Sequence, residues 1–145
     1  MNLKNYTSEP PAITSMGRIE KALVEAGATF INKKYEDGVC TAVLFQLMVN
    51  NAPISFKLPA RVDQCFKVMW AEVKRPQDGT EQKVRAQAER TAWKIISDWV
   101  ECQLSMIRLE QAEPLQVFLP YVYDLKTERT FYDRIQDSGL KLLGQ

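Results

Sequence analysis

The chain has 145 residues, 26% of them charged, with 19 lysines and arginines against 18 aspartates and glutamates and a net charge of +1. That length fits one domain burying about two-thirds of the surface its unfolded chain exposes, and the 46% hydrophobic content is wrong for a disordered or fibrous protein. With no histidine, Ser-His-Asp and Cys-His catalysis, His-ligated zinc or haem and an imidazole switch near neutral pH are all excluded.

Residues 1–13, with Pro10-Pro11 near their end, read as a flexible lead-in that lacks the apolar core of a signal peptide. From Thr14 to Ala26 the apolar Met16, Ile19, Leu23 and Val24 fall on one helical stripe, with Thr14 or Ser15 as the cap and Gly27 as a left-handed stop. The period then changes. Thr29–Tyr35 is β-prone, Asp37-Gly38 is a hairpin turn, and Val39–Val49 alternates Val43, Phe45 and Leu47 against Cys40, Ala42 and Leu44. A strand apolar on both sides belongs in the middle of a sheet. Asn50 to Pro53 makes the next turn, and Ile54, Phe56 and Leu58 mark a third strand, completing a three-stranded antiparallel meander.

Val62, Cys65, Phe66, Met69, Trp70 and Val73 predict an amphipathic helix over 60–74, broken by Arg75 to Gly79. Thr80 is placed to cap the next helix, 81–112, whose two apolar stripes, one led by Val84, Ala88 and Ala92 and one by Trp93, Ile96 and Val100, predict burial on more than one side. Pro114 stops it. Leu115–Tyr123 contains Pro120 and reads as an extended arm or edge strand, and 130–143 as a short terminal helix. The expected fold is therefore α+β: an N-terminal helix, the meander, two helices packed on the sheet with the second one long, then the arm. Residues 14–123 form the single domain and 124–145 a tail.

Cys40, Cys65 and Cys102 are odd in number, form no C-x-x-C pair and sit in apolar runs, so each reads as a buried hydrophobe in a reducing cytoplasm. No stretch reaches the ~20 apolar residues that span a bilayer. No glycine-rich phosphate loop, EF-hand or nucleophile elbow occurs, and no cofactor or metal is expected. The acidic candidates are dispersed: Glu36-Asp37 lies in a hairpin turn, and Asp98 and Glu101, three apart on the long helix, have the spacing for acid–base or cation chemistry, but a solvated helix face is the favoured reading. The basic residues form a more coherent set. Lys83, Arg90 and Lys94 align along the long helix, Lys33 and Lys34 end the first strand, Lys57 lies on the third, and Arg61 starts a helix. Converging, these seven can track a phosphate backbone, with Tyr35, Trp70 and Trp93 as stacking platforms. Three tryptophans and five methionines suit a protein interface or a homo-oligomer, and burial inside a monomer explains them equally well.

Three blocks, FKLP (56–59), ERTAWKIISDWVECQL (89–104) and VFLPY (117–121), resemble a family of small accessory proteins encoded by tailed bacteriophages, over roughly residues 14–123. The resemblance implies a protein acting in the host bacterial cytoplasm, in genome replication, recombination or the blocking of host defences. The order helix, meander, helices is also similar in topology to the core of single-strand annealing recombination proteins. The expectation is a non-enzymatic protein that binds nucleic acid, single-stranded, through Lys33, Lys34, Lys57, Arg61, Lys83, Arg90 and Lys94. The alternative is an anti-defence protein that captures a host factor or ligand.

Overall fold

In the computed structural model, which describes residues 1–144, helix α1 (Ala12–Glu25) starts directly behind Pro10-Pro11. Proline has a carbonyl but no N–H, so Pro11 accepts from Thr14 and Ser15 and opens the helix without losing a bond. Thr14 and Ser15 therefore lie within the first turn, where caps were expected, and Ser15 is fully buried. Ala12, Met16, Ile19 and Leu23 make the buried stripe; Val24, expected on it, is exposed. Gly27, at φ +102°, reverses the chain, and the Ala28 N–H returns to the Leu23 carbonyl.

Strands β1 (Phe30–Glu36), β2 (Val39–Val49) and β3 (Ala52–Pro59) form an antiparallel sheet in the order β1-β2-β3, so β2 is central, as its two apolar faces require. Both connections are two-residue turns with positive φ at each position: Asp37 and Gly38 (51° and 79°), then Asn50 and Asn51 (51° and 65°). The second turn is shorter than the sequence indicated, and β3 takes in Ala52 and Pro53. Proline is tolerated there because β3 is an edge strand. Directly paired residues share a face, so Phe45 opposite Ile31 and Phe56, and Val43 opposite Lys33 and Leu58, define one side. That side is the core. Phe45 stacks on Phe56 at 5.3 Å and meets Phe118 edge-on at 5.5 Å, and all three rings are buried.

The chain divides into two compact units, one of residues 1–22 and 60–102, the other of residues 23–59 and the chain from Gln103 onward. In the first, α2 (Val62–Trp70) is shorter than the 60–74 expected, and Cys65 and Met69 on its buried side cluster with Ala88 and Ala92 of α3 (Thr80–Arg108). Alanines at these two positions, one turn apart, leave room for the larger side chains of α2. The Thr80 hydroxyl accepts the Gln77 N–H, which closes the preceding loop; it does not cap the helix. The helix ends four residues before the predicted 112 because Glu110 turns left-handed (φ 58°) and the Gln111 N–H closes onto the Met106 carbonyl.

The second unit corrects the reading of the C-terminal arm. Residues 114–121 are helical: α4 (Pro114–Phe118) followed by a 3-10 turn, Leu119–Tyr121. Pro114 stands in the first turn, where a missing N–H costs nothing, and Glu113 and Gln116 cap the helix reciprocally. Val122 then bridges Phe56 on the β3 edge, and β4 (Tyr123–Asp124) pairs with β5 (Arg129–Thr130). The expected tail helix is split into α5 (Phe131–Asp137), capped by Thr130, and a 3-10 turn Lys141–Leu143, with Gly139 and Leu140 left-handed between them. The tail was assigned to 124–145, and its last position lies outside the described residues. No helix among the described residues is long and apolar enough to cross a membrane.

Candidate nucleic-acid interface

The seven basic residues divide between the units. Lys33, Lys34 and Lys57 lie in the second, Arg61, Lys83, Arg90 and Lys94 in the first. Strand alternation separates the first two: Lys33 pairs with Val43 on the core side, while Lys34 pairs with Ala42 on the opposite face. Lys57 pairs with Leu44 and so shares that opposite face with Lys34.

This face is closed at one end and open at the other. Cys40 and Ala42 are buried, Leu44 and Gln46 half-buried, and Met48 is 60% exposed. Along β1 the same face carries Phe30, 49% exposed, and Asn32, also exposed; along β3 it carries Ser55, whose hydroxyl accepts from the Gln46 amide at 3.0 Å. Lys34 and Lys57 lie two strands apart, and their side chains approach across β2 closely enough for one charge to act on the other. Burial first, then the Lys34 charge, hold the Lys57 ammonium below the ordinary lysine range; Glu36 and Asp133 pull it back only in part. The Lys57 Nζ stands 5.4 Å from the centre of the Tyr123 ring, and Lys34 pairs loosely with Glu36 at 3.8 Å. Asp133 ionises readily. The Thr130 N–H bonds to it, outweighing partial burial, and the charges of Arg129 and Lys57 help.

In the first unit the cations of the long helix are already engaged. Lys94 pairs with Asp98 at 2.6 Å, and Arg90 donates to the Ser8 carbonyl at 3.3 Å and to the Gln87 amide oxygen. These bonds belong to a strap. Thr91 donates to the Asn5 carbonyl, Gln87 to the Ser8 carbonyl and the Asn5 amide to Asp98, each at 2.9 Å, so the lead-in lies along α3. Burial opposes the charge on Asp98, yet the hydrogen bonds from Lys94 and Asn5 and the charges of Lys94 and Lys4 hold its carboxyl below the usual range. Arg61 and Lys83 are exposed, and their side chains make no ion pair among the described residues.

Of the aromatics singled out, Trp93 is fully buried and offers no platform; Trp70 is half-buried and stacks on Phe66 at 5.7 Å, with the Arg85 guanidinium 4.0 Å above Phe66. Tyr35 is exposed. Phe30 and Tyr123 were not singled out. Strand alternation was enough to place Phe30 on the face of Lys34, four positions along β1, whereas nothing local marked Tyr123. The carboxylate pair is divided: Asp98 serves Lys94 and the strap, and Glu101 faces Arg18 at 3.4 Å. Cys40 and Cys65 are buried, and burial pushes the Cys65 thiol up, but Cys102 is exposed, against expectation. No group of three or more acidic or cysteine side chains placed to hold a metal occurs among the described residues.

No family model, curated protein or solved structure matches the chain.

Proposed function

We propose that the protein is a non-catalytic nucleic-acid-binding protein that receives a single strand on the open face of its three-stranded sheet. One observation carries the reading. The register sets two lysines, Lys34 and Lys57, diagonally across β2 on a face that also exposes Phe30, and their side chains come close enough for the charges to act on each other. Like charges held together repel until an anion lies between them, and a phosphate backbone supplies anions at regular spacing. Phe30 gives the adjacent base an apolar ring to stack on, and Asn32, Gln46 and Ser55 supply donors and acceptors without a strong base preference. On this reading Arg90 and Lys94 hold the strap, Arg61 and Lys83 are peripheral, and Lys33 faces away. The likeness of the three sequence blocks to tailed-phage accessory proteins supports a place in phage genome replication or recombination, in the host cytoplasm.

The test is a fluorescence-anisotropy titration of a labelled single-stranded oligonucleotide at several salt concentrations. Replacing both Lys34 and Lys57 by alanine is expected to weaken binding at least tenfold and to flatten the salt dependence by about 1.4 log units per decade, the release from two phosphates. Absence of binding at low salt, or an affinity indifferent to the double substitution, overturns the reading and favours capture of a host protein.

A further inference from the structure

The second unit holds a pocket of about 250 Å³ that binding on the sheet face does not use. Its walls are Ile54 of β3, Leu115 of α4, Leu119, Val122 and Phe131 at the start of α5. Four polar side chains stand at its rim: Tyr123, Asp124, Arg129 and Arg134. They are not equally available. Asp124 Oδ1 accepts the N–H groups of Lys126 and Thr127 at 2.8 and 3.4 Å, which commits it to its own turn. Arg129 pairs with Asp137 at 2.5 Å. The Tyr123 ring lies beneath Lys57. The Arg134 side chain alone of the rim charges has no hydrogen bond or ion pair among the described residues.

An aliphatic cavity of ~150 Å³ holds benzene, so this one has room for two fused rings. A neutral guest would fill it and leave Arg134 uncompensated. A dianion would bring a second negative charge to the rim that Asp124 occupies. A cationic guest would face Arg129 and Arg134. We propose that the pocket binds a small apolar monocarboxylate of about the size of a fused bicyclic ring, with the ring against Ile54 and Phe131 and the carboxylate paired to the Arg134 guanidinium. Arginine matches a carboxylate through two parallel N–H bonds, so the charge fixes the orientation that an apolar wall alone cannot.

The test follows the methyl resonances of Ile54, Leu115, Leu119 and Val122 by NMR during titration of the whole protein with 2-naphthoate and, separately, with the uncharged 2-naphthylmethanol. Saturable shifts confined to these methyls are expected, with the acid binding about tenfold more tightly than the alcohol. Arg134→Gln abolishes that preference while the alcohol still binds, and Arg129→Gln leaves it in place. Ile54→Trp fills the pocket and removes both ligands from a protein whose circular dichroism is unchanged. No saturable shift at millimolar ligand, equal affinities for acid and alcohol, or a preference that survives Arg134→Gln overturns the proposal. None of these outcomes depends on whether the sheet binds nucleic acid.

Discussion

The first unit spends its helix cations internally, and the second leaves two of its strand cations in conflict. Arg90 and Lys94 stand one turn apart on α3, and both are neutralised or hydrogen-bonded by residues that hold the lead-in in place. Lys34 and Lys57 belong to strands that are not even neighbours, yet their charges act on one another. Alignment of like residues along a helix therefore says little about whether their charge is available. What matters is which acceptors the rest of the fold brings to them.

The largest effect tests whether the sheet core, and not the surface, carries the stability of the second unit. Phe56→Ala removes a ring that touches both Phe45 and Phe118 and is expected to cost about 3–5 kcal/mol, measured by urea unfolding followed by circular dichroism. Next, Arg90→Ala with Lys94→Ala is expected to leave oligonucleotide affinity unchanged while lowering stability by about 1–2 kcal/mol, the reverse of the outcome for the lysine pair on the sheet. If affinity falls with the helix pair, the contrast between the units fails. Asp98→Asn is expected to cost about 1 kcal/mol, since the pair with Lys94 is partly solvated. The carboxyl titrates lower folded than unfolded. Its contribution is therefore complete above the unfolded value of about 3.9 and is lost as the pH falls through the folded one, a loss that the Asn variant should not show in an acid titration. The smallest effect has the opposite sign. Lys57 titrates lower folded than unfolded, so the unfolded chain holds more protons between the two values and stability rises with pH there. Lys57→Met is accordingly expected to raise the melting temperature slightly at neutral pH while weakening the oligonucleotide complex. A lowered melting temperature would show that the contact with Tyr123 outweighs the repulsion.

The meander was legible because its signals are local and repeat every two residues. Asp37-Gly38 and Asn50-Asn51 mark turns that need positive φ; from the second the β2–β3 register runs unbroken, while β1 shifts by one position between Lys34 and Tyr35. The C-terminal arm was misread because VFLPY looks extended, while the evidence for a helix lay just upstream, in the reciprocal pair Glu113 and Gln116 around Pro114. The candidate site was legible only in part: alternation sets Phe30 and Lys34 on one face of β1, but turn parity would pair Lys33 with Ala42, and it is the register shift between Lys34 and Tyr35 that brings Lys34 to the face of Lys57. Tyr123 was not legible, since its place beside Lys57 depends on Val122 docking to the β3 edge. The engagement of Arg90 was equally hidden, since the Ser8 carbonyl that accepts from it lies 82 positions away in sequence. The pair Lys94–Asp98, one turn apart on α3, is a local helix spacing; the Asn5 amide that binds the same carboxylate from the lead-in is not.

The doublet Lys33-Lys34 has a consequence for how this surface tolerates change. Sliding β1 by one position against β2 turns all its side chains over, which for most strands would replace a charged platform by a greasy one. Here a slip that removes the irregularity between Lys34 and Tyr35 brings Lys33 into the vacated place, so a hairpin remodelled in that direction would still present an ammonium opposite Ala42. Phe30 has no such understudy. The ring, and not the charge, is the element whose position depends on keeping the hairpin in register.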